Sequence, residues 1–386
     1  MTRAEAQPRS DAQRREMTVS AEGAAPAASR AKPRQRLSAV TRARRRRVPV
    51  IVGLVVLLLL AVLVSSSVGQ FALSPAEIVA SIGRRIGIAP AATGAASYAD
   101  GALWNIRFPR VALGIVVGAA LGVAGALMQG VFANPLAEPA VVGVSAGCAV
   151  GACAVIVFDL QQFGPASIPA AAFVMGVLTT VIVYVLSRAR GRTQVLMLVL
   201  TGIAINAVAN AVIAFLVFQA DTASREQIMF WQLGSLNGAS WRAVAVTFPL
   251  LIVGVGCAWL LAKRLDALAL GERSARHLGV PVERVRLLAI LLVALLTAVA
   301  VSFAGIIAFV GLIIPHLLRL LIGPAHAALI PASALGGALL ISAADLAART
   351  VVPFADLPIG MFTALVGGPV FFVLLRRTIA AKEGAA

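Results

Sequence analysis

Charge is scarce in this chain. Only 13% of its 386 residues are Asp, Glu, Lys or Arg, against roughly 25% in a soluble domain. With 60% hydrophobic residues and a mean hydropathy of +0.94, the chain reads as an integral membrane protein rather than one large soluble core. Only helices or closed barrels satisfy their backbone polar groups in lipid. The apolar stretches are long and continuous instead of alternating, which selects helices over a barrel. Cysteine is almost missing. Cys148, Cys153 and Cys257 all fall in apolar stretches, where small buried residues are expected, and their spacing fits neither a disulfide framework nor a metal site. A phosphate-binding Gly-x-x-x-x-Gly-Lys-Ser/Thr loop is also absent, so any ATP chemistry must be performed by another chain. No catalytic residue and no metal ligand is assigned.

What charge there is lies in three places. The net charge of +17 would suit a nucleic-acid binder, but its distribution argues otherwise. Thirteen basic and four acidic residues precede residue 48, while twenty basic and twelve acidic residues follow, scattered over loops. The leading segment, with Arg42 and Arg44 to Arg47, has no interleaved aromatics on which bases could stack. Residues 1–47 therefore read as a basic, disordered cytoplasmic tail that orients the first membrane helix and touches anionic lipid, with no nucleic-acid partner. Met17 offers an alternative start within it. The apolar run Val50–Val64 resembles a signal peptide but lacks a convincing cleavage site, so an uncleaved first span is expected.

Ten spans of about 20 residues fit the apolar runs, at 48–68, 108–130, 139–158, 167–187, 195–218, 241–262, 285–303, 305–322, 328–345 and 357–376. An even number puts both termini on one side. If that side is the cytoplasm, the inner segments hold 26 of the 33 Lys and Arg residues, as the positive-inside bias requires. The expectation is an all-α polytopic membrane protein with about ten transmembrane helices and both termini cytoplasmic. Residues 48–377 form the transmembrane domain and 378–386 a short cytoplasmic tail.

The densest charge outside the first tail is Lys263–Arg286, with nine charged residues in 24. Such an island cannot lie in lipid, and the charge bias puts it in the cytoplasm. Leu268, Leu270, Ala275, Leu278 and Val280 supply an apolar set, Glu272, Arg273 and Arg276 can set register, and Gly271 and Gly279 bracket a short helix. On the residues alone this is an amphipathic loop helix, either solvated or docked. Gly114, Gly118, Gly122 and Gly125 form a stripe that allows close helix contact. Ala124-Gly125 precedes Pro135 by the interval at which Ala304-Gly305 precedes Pro315, a weak internal echo. Asn134-Pro-Leu-Ala-Glu-Pro139 contains two prolines that bar a continuing helix. It is either a constriction at the inner rim of the bundle or an ordinary connection.

Several longer motifs carry a family resemblance. Gln129-Gly130, Asn134–Pro139 and Gly143-Val-Ser-Ala-Gly147 are followed in order by Leu270-Gly-Glu-Arg-Ser-Ala-Arg-His-Leu-Gly279, Phe309-Val-Gly-Leu-Ile-Ile-Pro-His316 and Asp356-Leu-Pro-Ile-Gly360. Together they resemble the iron-siderophore, haem and cobalamin permeases of binding-protein-dependent ABC importers, and they span most of residues 50–377. The resemblance implies a homodimer in the bacterial inner membrane, with two ATPase subunits that hold ATP and Mg, a periplasmic binding protein, and no cofactor in this chain itself. It makes the charged island a cytoplasmic coupling helix, carried by Leu268, Leu270, Gly271, Glu272, Arg273, Ala275, Arg276, Leu278 and Gly279. It makes Asn134 and Leu136 cytoplasmic gate residues. A second gate segment near Gln194–Leu196 departs from the small-hydroxyl pattern of the cobalamin permease through Val195 and Leu196. Arg107, Arg110 and Arg349 match arginines that receive acidic residues of the binding protein.

The segment Phe230-Trp231-Gln-Leu-Gly-Ser-Leu-Asn-Gly-Ala-Ser-Trp241 resembles haem permeases more than the cobalamin permease. Haem is the expected cargo, ahead of a ferric siderophore and then cobalamin. Met128, Met197, Met229 and Phe230 are candidate contacts for a flat porphyrin. His316 is expected to be structural, and neither His277 nor His326 is placed to ligate haem iron. Two other classes of function would require features of their own. An ion-coupled secondary transporter should carry ionisable residues inside its spans, and here Asp345 and Arg319 lie near span ends. An intramembrane enzyme should carry a catalytic constellation such as His-Glu-x-x-His, which is absent.

Overall fold

A computed structural model describes residues 33–69, 72–189, 192–352 and 355–383. Helix α1 runs Pro33–Ser67, α2 Pro75–Arg85 and α3 Ala95–Ala102; a π turn at Leu103–Arg107 leads into α4, Phe108–Val131. Helices α5 (Val144–Val157), α6 (Ser167–Leu186) and α7 (Val195–Gln219) follow, and the two-residue strands β1 (Arg188–Ala189) and β2 (Arg192–Thr193) pair antiparallel between α6 and α7. The chain continues through α8 (Thr222–Leu233), α9 (Trp241–Leu268), α10 (Glu272–His277), α11 (Val282–Ala304), α12 (Val310–Ile322), α13 (His326–Ala348) and α14 (Ile359–Glu383).

Among the described residues, eight helices are long and apolar enough to cross a membrane: α1 from Arg45, α3 with α4 as one rod, α6, α7, α9, α11, α13 and α14 up to Arg376. Two more, α5 and α12, are apolar but short. These account for the ten expected spans, with two corrections of length. At 1.5 Å per residue, α5 and α12 extend only about 20 Å, short of a hydrocarbon core of about 30 Å. Both are shortened at their N-termini. Residues 132–143 and 305–309, which the sequence reading gave in part to spans, are mostly irregular. They reach inward from opposite faces and meet inside the bundle, where Pro139 packs on Gly311 and the Phe309 N–H donates to Glu138 Oε1 at 3.0 Å. Non-helical backbone is tolerated at membrane depth only when protein surrounds it. Gln129 helps meet that condition, its side-chain amide donating to the Leu312 carbonyl at 3.0 Å.

The axis of the fold is α4, buried along almost its whole length. Its glycine stripe explains how. A Cβ on Gly118 would lie 2.2 Å from the Gly337 carbonyl oxygen, one on Gly122 2.1 Å from that of Ser333, and one on Gly125 1.8 Å from that of Gly311. Helices α13 and α12 thus lie backbone to backbone on α4, the arrangement small residues permit in lipid. The stripe is packing. Gly125 is in mid-helix whereas Gly305 ends α11 with φ +70°, so the echo between their two segments has no structural counterpart.

Three further expectations change. Helix α1 begins at Pro33, so the end of the presumed disordered tail is helical, while residues 1–32 lie outside the described residues. Helix α14 runs on to Glu383, into the segment assigned to the C-terminal tail. Cys148 and Cys153 are buried, but Cys257 is exposed on α9.

Gly118→Ala and Gly122→Ala should each destabilise the bundle by about 1–3 kcal/mol or more, as overpacking does. Gly53→Ala, with nothing within 4 Å of its added Cβ, should not. Thermal aggregation of the three variants in detergent, side by side, checks this.

Candidate functional site

The charged island folds as the sequence suggests, with one reassignment. Gly271 (φ +101°) and Gly279 (φ +75°) bracket α10, turning the chain at positions where a Cβ would be strained. The apolar set divides in two. Leu268 and Ala275, at 3% and 0% exposed, pack with Val282 and partly buried Val280 under the helix. Leu270 and Leu278, at 69% and 65%, point away from it. Leu268 and Ala275 are therefore not part of a docking surface; they hold α10 down. The exposed residues include Leu270, Arg273, Ser274, Arg276, His277 and Leu278.

Glu272 remains 45% exposed but is tied to the body of the bundle. It accepts from Arg286 at 2.5 Å and pairs with Arg276 at 3.4 Å, one turn on. Arg286 is the residue that sequence reasoning passed over. Its side chain is 1% exposed, and it donates to the Thr193 carbonyl at 2.6 Å and pairs with Glu283 at 3.4 Å. Glu283 in turn accepts from the Thr193 N–H at 3.0 Å. Arg286 thus ties α10, the start of α11 and the β2 strand leading into α7. The available signal was a charge between Val285 and Leu287 in a run otherwise facing the core.

The Asn134–Pro139 loop is fixed from both ends. Asn134 Oδ1 accepts from the Leu136 N–H at 3.0 Å, an Asx turn, and His316 Nδ1 lies 3.2 Å from the Pro135 carbonyl. That contact gives His316 a structural place. Asn134 is exposed and Leu136 half-buried. Gln194 is the exposed N-cap position of α7, next to exposed Leu196 and Met197. His277 is exposed on α10, and His326 is fully buried with its ring Nδ1 2.6 Å from Asp266. Gly143–Gly147 has the Gly-x-Ser-x-Gly spacing, but a 3-10 turn rather than a strand precedes it. No His or acidic side chain bonds Ser145 among the described residues, so no serine nucleophile is built there.

Arg107, Arg110 and Arg349, expected at two different outer turns, lie near one another and face inward. Arg110 donates to Asp345 at 2.9 Å and to Asp356 at 3.1 Å. Arg349 lies 3.4 Å from Asp345 and donates to the Val68 carbonyl at 2.8 Å and to the Ser65 carbonyl at 2.6 Å. Arg107 donates to the Ser66 and Ser67 carbonyls at 2.6 and 3.1 Å. The guanidinium groups expected to be free for a partner instead clasp the outer ends of α1, α4 and α13 and the segment before α14. Burial favours this, since an arginine leaving water gains from every acceptor it can reach, although Arg110 Nη2 and Arg349 Nε have no hydrogen-bond partner among the described residues. Asp345 and Asp356 were visible in the sequence, but their pairing was not.

Beside this clasp opens an outer vestibule of about 570 Å³, lined by Gln227, Phe230, Trp231, Asn237, Phe303 and Asp356 among others. Three close approaches shape its floor. A Cβ on Gly305 would lie 2.1 Å from the Trp231 carbonyl oxygen, one on Gly360 2.3 Å from that of Leu233, and one on Gly234 2.6 Å from that of Ile306. Of the proposed porphyrin contacts, Met128 is fully buried in α4 and reaches no surface, whereas Met197, Met229 and Phe230 are exposed.

The sequence pattern of the FecCD transport family matches residues 57–377. The hemin transport system permease protein of Yersinia pestis is 41% identical over 286 residues, covering 73% of this chain and 85% of that protein. The cobalamin import system permease protein of Halobacterium salinarum is 40% identical over 288 residues, covering 75% and 77%. A solved structure described as a metal-chelate type ABC transporter in an inward-facing conformation superposes with a TM-score of 0.75 at 31% identity, covering 85% of this chain and 99% of that one.

Removing the Arg286 side chain as Arg286→Met should free α10 and cost about 1–3 kcal/mol, the scale of a lost charge-assisted hydrogen bond, because its carboxylate partners are partly exposed and the Thr193 carbonyl loses its donor. Hydrogen exchange over residues 270–283 should rise severalfold in this variant and little in Arg276→Ala, whose pair is exposed.

Proposed function

The chain belongs to the FecCD transport family and is a multi-pass ABC importer permease, and we propose that it works as a haem-carrying homodimer around a central pathway in the bacterial inner membrane. Two copies of a separate ATPase, which bind ATP and Mg, serve its cytoplasmic face, and a periplasmic binding protein delivers cargo to its outer face. The observation that carries this reading is the geometry of α10. It is a short helix seated on a buried apolar cluster, with Arg273 and Arg276 exposed on it and the exposed leucines Leu270 and Leu278 flanking it. An exposed apolar pair flanking a charged, seated helix suits insertion into a cleft of a partner chain.

The same mounting supplies a route for force. Closure of the ATPase displaces α10. The Leu268–Ala275–Val282 cluster passes that displacement to α9 and α11, and Arg286 passes it through Thr193 to the start of α7. Gate residues Asn134 and Leu136 then separate or close at the inner rim of the pathway. At the outer face Arg107, Arg110 and Arg349 receive the binding protein. Its carboxylates reach Arg110 by competing with Asp356, the more exposed of that arginine's two acidic partners. A planar guanidinium can pass between carboxylates in this way without losing its donor geometry.

Haem is favoured as cargo by the aromatic wall of the vestibule, where Phe230, Trp231 and Phe303 offer flat apolar surface beside Gln227 and Asn237. Such a wall holds a porphyrin without an axial ligand, which suits a route that must release what it accepts.

Leu270→Glu combined with Leu278→Glu should abolish co-purification of the cognate ATPase while membrane insertion stays normal. Retention of the ATPase at wild-type level overturns the docking assignment. Proteoliposomes holding the complete importer should take up haem at least tenfold faster than a ferric siderophore or cobalamin; preference for either competitor reassigns the cargo.

A further inference from the structure

Seven arginines lie on the outer side of the bundle, against the charge bias, and six of them are engaged. Arg84 pairs with Asp100, Arg85 lies over the Trp104 ring, and Arg225 donates to the Val217 and Phe218 carbonyls. Arg107, Arg110 and Arg349 form the clasp. Arg242, in the first turn of α9, is exposed and makes no hydrogen bond, ion pair or ring contact among the described residues. It stands at the mouth of a groove.

The groove has two connected parts between the outer ends of α6, α9 and α11. The upper part, about 310 Å³, includes Gly238, Ser240 and Arg242 in its lining. The lower part, about 290 Å³, is walled by Ala170, Phe173, Leu250 and Val299 and is almost purely apolar. The two share Ala166, Pro169, Val246 and Phe303. Leu250 lies about 13 Å along the helix from Trp241, so the lower part sits within the outer half of a hydrocarbon core about 30 Å thick. Neither part has an acidic residue in its lining.

We propose that this groove binds an anionic glycerophospholipid of the outer leaflet, with its phosphate on Arg242 and one acyl chain laid along Val246, Leu250 and Phe173. The chemistry is complementary at both ends. An unpaired cation at the water interface takes a phosphodiester, and an apolar slot at hydrocarbon depth takes a chain of methylenes. With no carboxylate in the lining, the site offers nothing to the amine of a zwitterionic headgroup. Phe303 also lines the vestibule, so the bound chain would brace one wall of it.

The test uses the purified full-length chain and native mass spectrometry, with phosphatidylglycerol and phosphatidylcholine of matched acyl chains as probes. Wild type should retain phosphatidylglycerol about fivefold better, the size expected of one interfacial arginine. Arg242→Gln should erase that preference and Arg242→Lys should largely keep it. Ala170→Trp, at an exposed position in the slot, should lower retention of both lipids. Glycerol phosphate alone should displace neither lipid. Equal retention of phosphatidylglycerol by wild type, Arg242→Gln and Ala170→Trp overturns the proposal. So does displacement by glycerol phosphate, which marks a headgroup-only site, or a shift from dimer to monomer in Ala170→Trp, which marks the groove as an interface between copies.

Discussion

Everything in this bundle is hung on the contact of α4 with α13 and α12 through bare backbone. In lipid there is no hydrophobic force to press one apolar helix on another, so close packing must supply the attraction. Gly118, Gly122 and Gly125 provide it by removing the side chains that would hold the neighbours away, and Gly337 and Gly311 do the same from the other side. Because α4 is surrounded, the spans beyond it can leave much of their surface uncovered. Helices α1, α7 and α14 do so. The outer clasp and the half-length helices both depend on this axis, since Arg110 is carried by α4 and α12 is seated on Gly125.

The number of spans and their order were legible because hydropathy acts locally along the chain. The glycine stripe was legible for the same reason, since a four-residue spacing puts small residues on one helix face. The lengths of α5 and α12 were not. Their missing turns are apolar or neutral enough to pass as membrane, and what unwinds them is contact with residues far away, such as Glu138 with Phe309. The site shows the same division. The glycines bracketing α10 announced the helix, while the inward turn of Leu268 and Ala275 was hidden, because six helical residues give no periodicity long enough to separate an inner from an outer face. The outer arginines stood out in the sequence against the charge bias, yet their burial and pairing with Asp345 and Asp356 depend on how α4 and α13 lie together, which no window of sequence contains.

The two faces of the molecule handle charge by one rule. Each buries an arginine inside a ring of acceptors, Arg286 within and Arg110 without, and each leaves a thinner set of groups outside that ring. On the inside these are the arginines of α10 and the leucines that flank it. On the outside they include the exposed edge of Asp356 and the unpartnered Arg242. Buried rings of this kind are weak contributors to net stability but costly to break from one side. They fix where the surface groups stand, and so make the surfaces dependable as contacts.

The meeting of the two inward loops bears on how the chain is made. Glu138 and Phe309 are 171 residues apart in sequence, and at roughly 5–20 residues per second of synthesis the first waits for the second for about ten seconds or more. Until then, α5 begins beside an unsupported loop at membrane depth, and its short apolar length gives it a weak hold on the bilayer. The first half of the protein therefore leaves the ribosome as an unfinished object, which the eighth span closes like a keystone. Truncation before residue 309 would remove not a peripheral piece but the partner that lets the third span stay where it is.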